Sequence, residues 1–365
     1  MTETTATTKS KMTIGFDIGD RKSVLCVLDG EGAVIERGEV ATSKEAIAHR
    51  FSGAPAVVAL ETGTHSPESR DDGITELLQS LGHDVIVANP RKVRSIAVSD
   101  SKSDSFDAEQ LARLARVDRR LLSPITHRGQ ETRADLALVR ARGALVRSRT
   151  LLVNYVRGTV KSSGVRLRAC STAVFPRRAA WKIPRDLRVA LIPVLRNIAN
   201  LTTHIIALER RIERVGTTKY PATQKLRQVD GVGAVTSLTF VLTLEDPQRF
   251  ANSRTVGAYL GLRPRQRQSG ARNPELHITK AGDRDLRRLL VQSAQYMLGP
   301  FGKDSDLRRT GLALAARGGK CAKKRAIVAV ARKLGVLLHR LWLADAPYDP
   351  LRHAEGRNLP RRKRA

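Results

Sequence analysis

The chain has 365 residues, 65 of them Lys or Arg and 35 Asp or Glu, for a formal net charge of +30. This surplus predicts a polyanionic partner, with nucleic acid ahead of an anionic membrane surface because no basic amphipathic anchor helix stands out. We find no run of about 18 apolar residues that would predict a membrane span, and no apolar stretch of a signal peptide at the N-terminus. Three scattered cysteines disfavour a disulfide framework or zinc site and fit a reducing cytosol. Aromatic residues, at 4%, disfavour recognition by rows of stacked rings.

The charge is divided unevenly along the chain. Residues 1–107 carry 12 Lys or Arg against 17 Asp or Glu, whereas residues 108–365 carry 53 against 18. Such asymmetry predicts a domain boundary and a division of labour. The basic part is expected to grip a polyanion, and the acidic part to use its carboxylates for something else.

The first third of the chain predicts an α/β domain. Apolar runs bounded by turn residues predict strands, and amphipathic stretches predict helices. The order is β-β-β-α-β-α-β-α, typical of a mixed sheet and of a ribonuclease-H-like fold. The predicted strands are 13–19, 23–28, 33–40, 56–60 and 85–88, and the predicted helices are about 43–51, 66–81 and 105–118.

Four carboxylates stand at informative places in this pattern. Asp17 and Glu61 end the first and fourth strands, and Asp104 and Asp107 lie three apart at a helix start, which places both near one helix face. Taken singly, each has an ordinary alternative, such as a turn cap, a surface residue or a favourable charge at a helix N-terminus. Together they predict an oxygen-only site for Mg²⁺ or Mn²⁺ that could clamp a phosphodiester.

The middle of the chain predicts two long helices. Residues 133–168 carry nine Lys or Arg and one acid, and residues 187–215 repeat apolar positions in steps of four and three, as in a coiled-coil seam. Pro193 inside this repeat predicts a kink or a helix start. Either an antiparallel hairpin within one chain or a dimerisation coil with an arginine face for nucleic acid explains the pattern, and residues 162–184 are predicted to be an irregular insertion. The candidate nucleic-acid contacts here are Arg140, Arg142, Arg147, Arg149 and Arg157.

The C-terminal part adds a candidate phosphate-binding turn and a basic loop. Residues 226–238 resemble a helix-hairpin-helix, in which Gly231 and Gly233 would let backbone N–H groups meet a phosphate. Ser269 lies next to Gly270 in a loop rich in arginine; nearby cations would favour a serine nucleophile, although a serine beside glycine is usually only a turn residue. The further candidate contacts are Arg263, Arg265, Arg267, Arg272, Lys280, Arg284 and Arg287.

These motifs together resemble one family, the DEDD transposases of the insertion-sequence-110 family, which are bridge-RNA-guided recombinases. In the first third the resemblance rests on Phe16-Asp17-Ile-Gly, Leu60-Glu61-Thr-Gly and the segment 102–112. In the C-terminal part it rests on segments 229–236, 259–264, 268–270, 279–287 and 326–334. They occur in the family's order over about residues 13–345.

The resemblance implies a resolvase-like (RuvC-like) nuclease fold whose acids Asp17, Glu61, Asp104 and Asp107 bind Mg²⁺ or Mn²⁺. It also implies a mostly helical C-terminal domain that supplies Ser269 as a nucleophile, with acids and serine from different subunits forming one composite site. The serine would form a phosphoserine link to donor or target DNA, and a structured guide RNA would choose the sequences by base pairing. The expected assembly is a homo-oligomer, dimer or tetramer, joined through the coiled coil and acting in a prokaryotic cytoplasm on the nucleoid.

The expected domains are a RuvC-like domain over 12–125, a helical coiled-coil region over 126–218 and a transposase domain over 219–345. Residues 1–11 are expected to be disordered, and 346–365 a basic tail. Three other functions explain the same pattern. A site-specific invertase without guide RNA would lack a structured non-coding region beside its gene. A junction-resolving nuclease would leave free 5′-phosphates and no protein–DNA adduct. A non-catalytic scaffold would be unaffected by loss of the four acids.

Overall fold

The computed structural model describes residues 12–61, 71–89, 103–125, 129–270, 274, 276–344 and 347–352. The chain divides between Arg128 and Gly129 into two compact units, here called the sheet unit and the helical unit. The predicted start of the second helix at Ser66, the segment 1–11, Arg272 and the basic end from residue 353 lie outside the described residues.

The sheet unit has one mixed sheet in the order β3-β2-β1-β4-β5. β1 pairs antiparallel with β2 and parallel with β4, so it lies at the centre of the sheet. Among the described residues of this unit, the predicted element order is confirmed, with bounds shifted by one or a few residues. The strands are β1 Thr13–Asp17, β2 Lys22–Leu28, β3 Val34–Ala41, β4 Val57–Glu61 and β5 Asp84–Ala88, and the helices are α1 Lys44–Arg50, α2 Asp71–Ser80 and α3 Asp104–Val117.

Helices cover both faces of this sheet. Phe16, Val58 and Leu60 face a core completed by α1 and α2. The opposite face, which includes Ala59 and Cys26, packs against α3. Alternation along the strands therefore assigns residues 13, 15 and 17 to the α3 face and residues 14 and 16 to the other.

The helical unit begins with two long helices. α4 spans Gln130–Ser162 and α6 spans Arg188–Lys219. They pack along each other in opposite directions: Asp135 near the start of α4 contacts Lys219 at the end of α6, while Arg149 further along α4 contacts Thr202. The helical hairpin within one chain is thus present. α6 begins at Arg188 and runs through Pro193, so of the two predicted alternatives at that proline, a kink or a helix start, the start does not occur.

The segment between these helices is more ordered than predicted. It contains a short helix, α5 Phe175–Ala180, and a 3-10 turn at Arg185–Leu187. Phe175, Ala179 and Ile183 are buried against residues of α4 and α6. The insertion therefore folds back over the end of the hairpin.

The rest of the helical unit packs around α8, whose residues from Thr236 to Leu244 are all buried. The main core joins α8 to the helices that follow it and includes Phe240, Leu290 and Leu334. The helices of this part of the unit are α7 Ala222–Leu226, α8 Ala234–Leu244, α9 Ser253–Tyr259, α10 Arg284–Leu298, α11 Asp306–Ala316 and α12 Ala322–Leu343.

Within the described part of the chain, one helical stretch, Arg185–Lys219, is long and apolar enough to cross a membrane by length and composition alone. No such stretch is predicted from runs of apolar residues in the sequence. A single stretch of this kind is a weak indication, because core helices of soluble proteins meet the same criterion. Its buried residues, among them Ile198 and Ile212, contribute to hydrophobic clusters with α4.

Candidate active site

Two of the predicted carboxylates end neighbouring strands in the same register. Asp17 is the partner of Glu61 in the parallel pairing of β1 with β4. Paired residues of parallel strands lie about 4.8 Å apart and point to the same face. Because Asp17 is two residues from Gly15, both carboxylates belong to the face that α3 covers.

A close approach at Gly15 fixes the position of α3 on this face. A Cβ atom at Gly15 would lie 1.8 Å from the carbonyl oxygen of Ala108 and 2.7 Å from the amide nitrogen of Ala112. No side chain fits there, so the helix backbone rests directly on β1. Gly15 was not among the predicted site residues; the signal that could have identified it is a glycine between two buried strand residues.

The direction of α3 brings its first turn to the sheet edge that holds Asp17 and Glu61. Near the other end of the helix, Arg116 donates a hydrogen bond to the carbonyl oxygen of Gly30, in the turn after β2. That turn adjoins the start of β1, because Leu28 pairs with Thr13. The helix therefore begins at the opposite edge, where β1 and β4 end.

The beginning of α3 is set by a side-chain cap. Ser103 accepts a hydrogen bond from the amide of Phe106, and Asp104 and Asp107 occupy the first turn. Carboxylates in this position interact favourably with the positive end of the helix dipole. The four predicted acids thus come from two strand ends and one helix start at a common edge of the sheet.

The chemistry of these residues fits a hard divalent cation, which takes oxygen ligands. The register pair supplies two carboxylates on one face. Among the described residues, no three Asp, Glu, His or Cys side chains stand close enough together to hold one ion. The register pair Asp17 and Glu61 would supply the first two ligands of an ion. Asp104 or Asp107 would have to turn toward this pair to complete the site.

Ser269 lies in the helical unit, on the exposed end of a short hairpin. The arms of this hairpin pair at Pro264 and Ile278, and the amide of Arg265 donates to the carbonyl oxygen of His277 at 2.9 Å. Ser269 is exposed, and Gly270 beside it has a φ of +54°. The arginines Arg263, Arg265 and Arg267 are exposed on the same hairpin.

The base of the hairpin is tightly held. Arg287 of α10 donates hydrogen bonds to the carbonyl oxygens of Leu260 at 3.1 Å and Ala281 at 2.6 Å. A Cβ atom at Gly261 would lie 2.1 Å from the carbonyl oxygen of Ala281. Arg287, a predicted nucleic-acid contact, therefore has an internal role here, whereas Arg284 and Lys280 are exposed.

The arginines predicted to decorate α4 also make contacts within the helical unit. Arg140 and Arg147 pair with Asp283 and Asp285 at 3.4 and 3.5 Å. The remaining three contact α6 or the segment that follows α4. Their contacts are Arg142 with Glu209, Arg149 with Thr202, and Arg157 with the carbonyl oxygens of Leu167 and Arg168.

The predicted phosphate-binding turn joins α7 to α8. Gly231 has a φ of +79°, and a Cβ atom there would lie 3.0 Å from the ring of Tyr296. Gly233 is the N-cap of α8, and no atom lies within 4 Å of its Cβ direction. Gly231 is thus needed for packing, and Gly233 offers open space for a ligand.

Comparison with known protein families gives two matches in this chain. Residues 14–164 match the family model of the IS110-type DEDD transposases, which covers the sheet, α3 and α4. Residues 223–304 match the transposase model of the IS116/IS110/IS902 family, which covers the hairpin with Ser269.

Comparison with curated proteins gives several similar transposases. A transposase for insertion sequence element IS1328 of Yersinia enterocolitica is 30% identical over 247 residues, covering 66% of this chain and 70% of the relative. A transposase for insertion sequence element IS1111A of Coxiella burnetii is 27% identical over 350 residues, covering 92% of this chain and 90% of the relative. A probable family 20 transposase of Pseudomonas aeruginosa is 30% identical over 239 residues, covering 63% and 69%.

Proposed function

The chain belongs to the IS110 family of insertion-sequence transposases, and from this membership we propose that it exchanges DNA strands through a phosphoserine intermediate under the guidance of an RNA. The observation that carries the proposal is the register pair Asp17 and Glu61 at the edge where α3 begins. An exposed serine among arginines on a firmly based hairpin is the second support.

The proposed chemistry exchanges one ester bond for another. Ser269 Oγ attacks the phosphorus of a DNA phosphodiester, its proton is lost to a base, and the sugar oxygen that leaves takes up a proton. The reverse attack by a sugar oxygen of another strand releases the serine. Each step breaks one P–O bond and forms one, so no net hydrolysis occurs. Exposed Arg265 and Arg267 would stabilise the extra negative charge on the phosphorus centre.

Membership of a DEDD transposase family indicates use of a divalent metal. Asp17 and Glu61, completed by Asp104 and Asp107, would hold it, and such an ion neutralises phosphate charge and polarises the attacked phosphorus when bound. The four carboxylates would hold the ion, and through it would position the phosphate for Ser269; we propose Mg²⁺ or Mn²⁺. Acids and serine would come from different subunits of a homo-oligomer, and the protein would act on DNA in the cytoplasm.

The basic surface of the helical unit suits backbone recognition, which carries no sequence information by itself. This supports a division in which a guide RNA chooses donor and target DNA by pairing. The test is to purify the protein from cells that carry the whole element, sequence the copurifying RNA, and assay strand exchange with and without it. Strand exchange and an SDS-stable protein–DNA adduct, both dependent on that RNA, are expected. Free 5′-phosphate ends without adduct would instead identify a hydrolytic nuclease, and RNA-independent exchange an invertase.

A further inference from the structure

The end of the helical hairpin carries a surface that the proposed chemistry does not use. We call residues 161–189 the tip segment. Its inner side is fixed, because Phe175, Ala179 and Ile183 are buried against α4 and α6. Its outer side is thereby held in a defined orientation on the end of two long helices.

The outer side presents apolar and basic side chains together along α5 and its flanks. Arg177, Arg178 and Trp181 lie three, four and seven residues after Val174, which places all four on one helix face. All four are exposed, and Trp181 keeps 82% of its surface in solvent. Trp181 therefore presents an exposed ring about one helical turn from Arg177 and Arg178, an arrangement that suits stacking of a planar group beside cations.

The tip segment is also strongly basic. It contains eight Lys or Arg against a single acid, Asp186. All eight basic side chains are exposed, and within the described residues none of them forms an ion pair. By contrast, Arg140, Arg142 and Arg147 of α4 form ion pairs with acids inside the unit.

We propose that the tip segment binds a single-stranded stretch of nucleic acid, with an unpaired base stacked on Trp181 and the adjoining phosphates held by Arg177 and Arg178. Base faces are accessible in single strands and hidden in a duplex, and stacking on aromatic rings beside arginines is the usual mode of single-strand binding. A second copy of the same surface is disfavoured because like charges would face each other. The inference deepens the proposed function and rests on it for the class of ligand.

The test uses the intrinsic fluorescence of the full-length protein. The chain has two tryptophans, and Trp342 is half-buried beside Phe240. The difference in fluorescence emission between the wild type and Trp181→Phe therefore reports the emission of Trp181. Titrants are an oligonucleotide of about 12 nucleotides, a length suited to single-strand grooves, offered as RNA, as DNA and as a DNA duplex.

We expect single strands to quench Trp181, and Trp181→Ala to weaken single-strand binding about tenfold while duplex binding changes less than about twofold. Removing Arg177 and Arg178 together should reduce the salt dependence, as the slope of log K against log salt, by about 1.4. Phe301→Ala removes another exposed ring, 78% accessible, and is the matched control that should change neither. The RNA and DNA arms identify which single strand binds more tightly.

Equal single-strand affinity of wild type and Trp181→Ala would overturn the inference, as would unchanged Trp181 emission on saturation. Self-association that Trp181→Ala abolishes would identify a protein contact and also overturn it. The readout needs no strand exchange. An inactive protein whose Trp181 is quenched would therefore count against the proposed function alone, and an active one with unquenched Trp181 against this inference alone.

Discussion

Asp17 and Glu61 are register partners across β1 and β4, on the sheet face that α3 covers. The backbone hydrogen bonds of the sheet hold the Cα atoms of these two residues close to each other. Two charged carboxylates about 4.8 Å apart at the backbone repel each other. A divalent cation between them would remove this repulsion, so metal binding and the stability of the folded sheet unit are expected to be linked.

The first prediction concerns this linkage. Mn²⁺ at about 100 times its dissociation constant should stabilise the wild type by about 2.7 kcal/mol, and chelation should reverse the shift. Asp17→Asn or Glu61→Gln should remove most of it, as measured by thermal unfolding with and without metal. Glu39→Gln, which changes an exposed carboxylate of β3, is the control that should keep the full shift. An equal metal response in Asp17→Asn would contradict a site at this register pair.

The second prediction concerns the close approach of α3. Gly15→Ala should destabilise the sheet unit by about 3 kcal/mol, because the new methyl group would overlap the backbone of α3. Gly38→Ala on β3 meets its nearest atom at 3.5 Å, so it should cost less than about 1 kcal/mol. Urea unfolding of the two variants gives the comparison. Similar stability of the two variants would mean that α3 does not rest on Gly15.

The third prediction concerns the nucleophile. Ser269→Ala should abolish the SDS-stable protein–DNA adduct and strand exchange while DNA affinity changes by less than about threefold, since one exposed hydroxyl adds little to phosphate binding. Ser148→Ala, which removes an exposed hydroxyl from α4, is the control. Adduct formation is read on denaturing gels, and affinity by fluorescence anisotropy. An adduct that persists in Ser269→Ala would assign the nucleophile to another residue.

The fourth prediction separates two arginines of α10. Arg284 is exposed, whereas Arg287 holds the carbonyl oxygens of Leu260 and Ala281. Arg284→Ala should lower DNA affinity and reduce the salt slope by about 0.9 without changing the melting temperature. Arg287→Ala should lower the melting temperature, because it leaves buried acceptors without their donor. The assignment is reversed if Arg284→Ala is the less stable variant.

The fifth prediction concerns alkaline pH at the junction of α4 and α6. Burial, followed by the hydrogen bond to Asp135, raises the pKa of Tyr220 from 10.0 to about 12. Between these two pH values the folded protein keeps a proton that the unfolded chain has lost. The free energy of unfolding therefore falls as the pH rises through this window, and the contribution is fully present below pH 10.0.

Tyr220→Phe should remove this contribution, so its stability should fall less steeply than that of the wild type between about pH 10 and pH 12. Lys219 hydrogen-bonds to Glu131 and Asp135, which also raises its pKa. Its deprotonation therefore lowers the free energy of unfolding as the pH rises, in the wild type and in Tyr220→Phe alike. Urea unfolding at several alkaline pH values provides the slopes. Tyr155→Phe changes an exposed ring and is the control that should behave as wild type. A slope of Tyr220→Phe equal to that of the wild type would rule out Tyr220 as the source of the pH dependence.

The sheet unit could be predicted largely from sequence because its information is local. Alternation, turn residues and strand ends gave the element order and placed Asp17 and Glu61 at strand ends. The strand order could not be obtained in this way, because β1 pairs with both its sequence neighbour β2 and the distant β4. Register pairing of the two acids therefore became visible only in the structure.

The interaction partners of the α4 arginines could not be predicted from the sequence, for a related physical reason. The arginines of α4 lie on a basic stretch, which predicts a nucleic-acid face, but their partners Asp283 and Glu209 are 143 and 67 residues away in the chain. Only the tertiary contacts decide whether a charged side chain faces solvent or pairs with a group inside the protein. Trp181 was likewise overlooked because the spacing that exposes it depends on the burial of Phe175 and Ala179.

The contact at Gly15 offers a way to tell intact genes from decayed ones. Mobile elements accumulate damaged copies, and a copy that still encodes Asp17, Glu61, Asp104 and Asp107 would ordinarily be counted as competent. Any side chain at position 15 would push α3 off the sheet and with it two of the four acids. A survey of genomic copies should therefore score this glycine together with the acids, since its loss predicts a silent copy in which the four proposed metal-binding acids are all present.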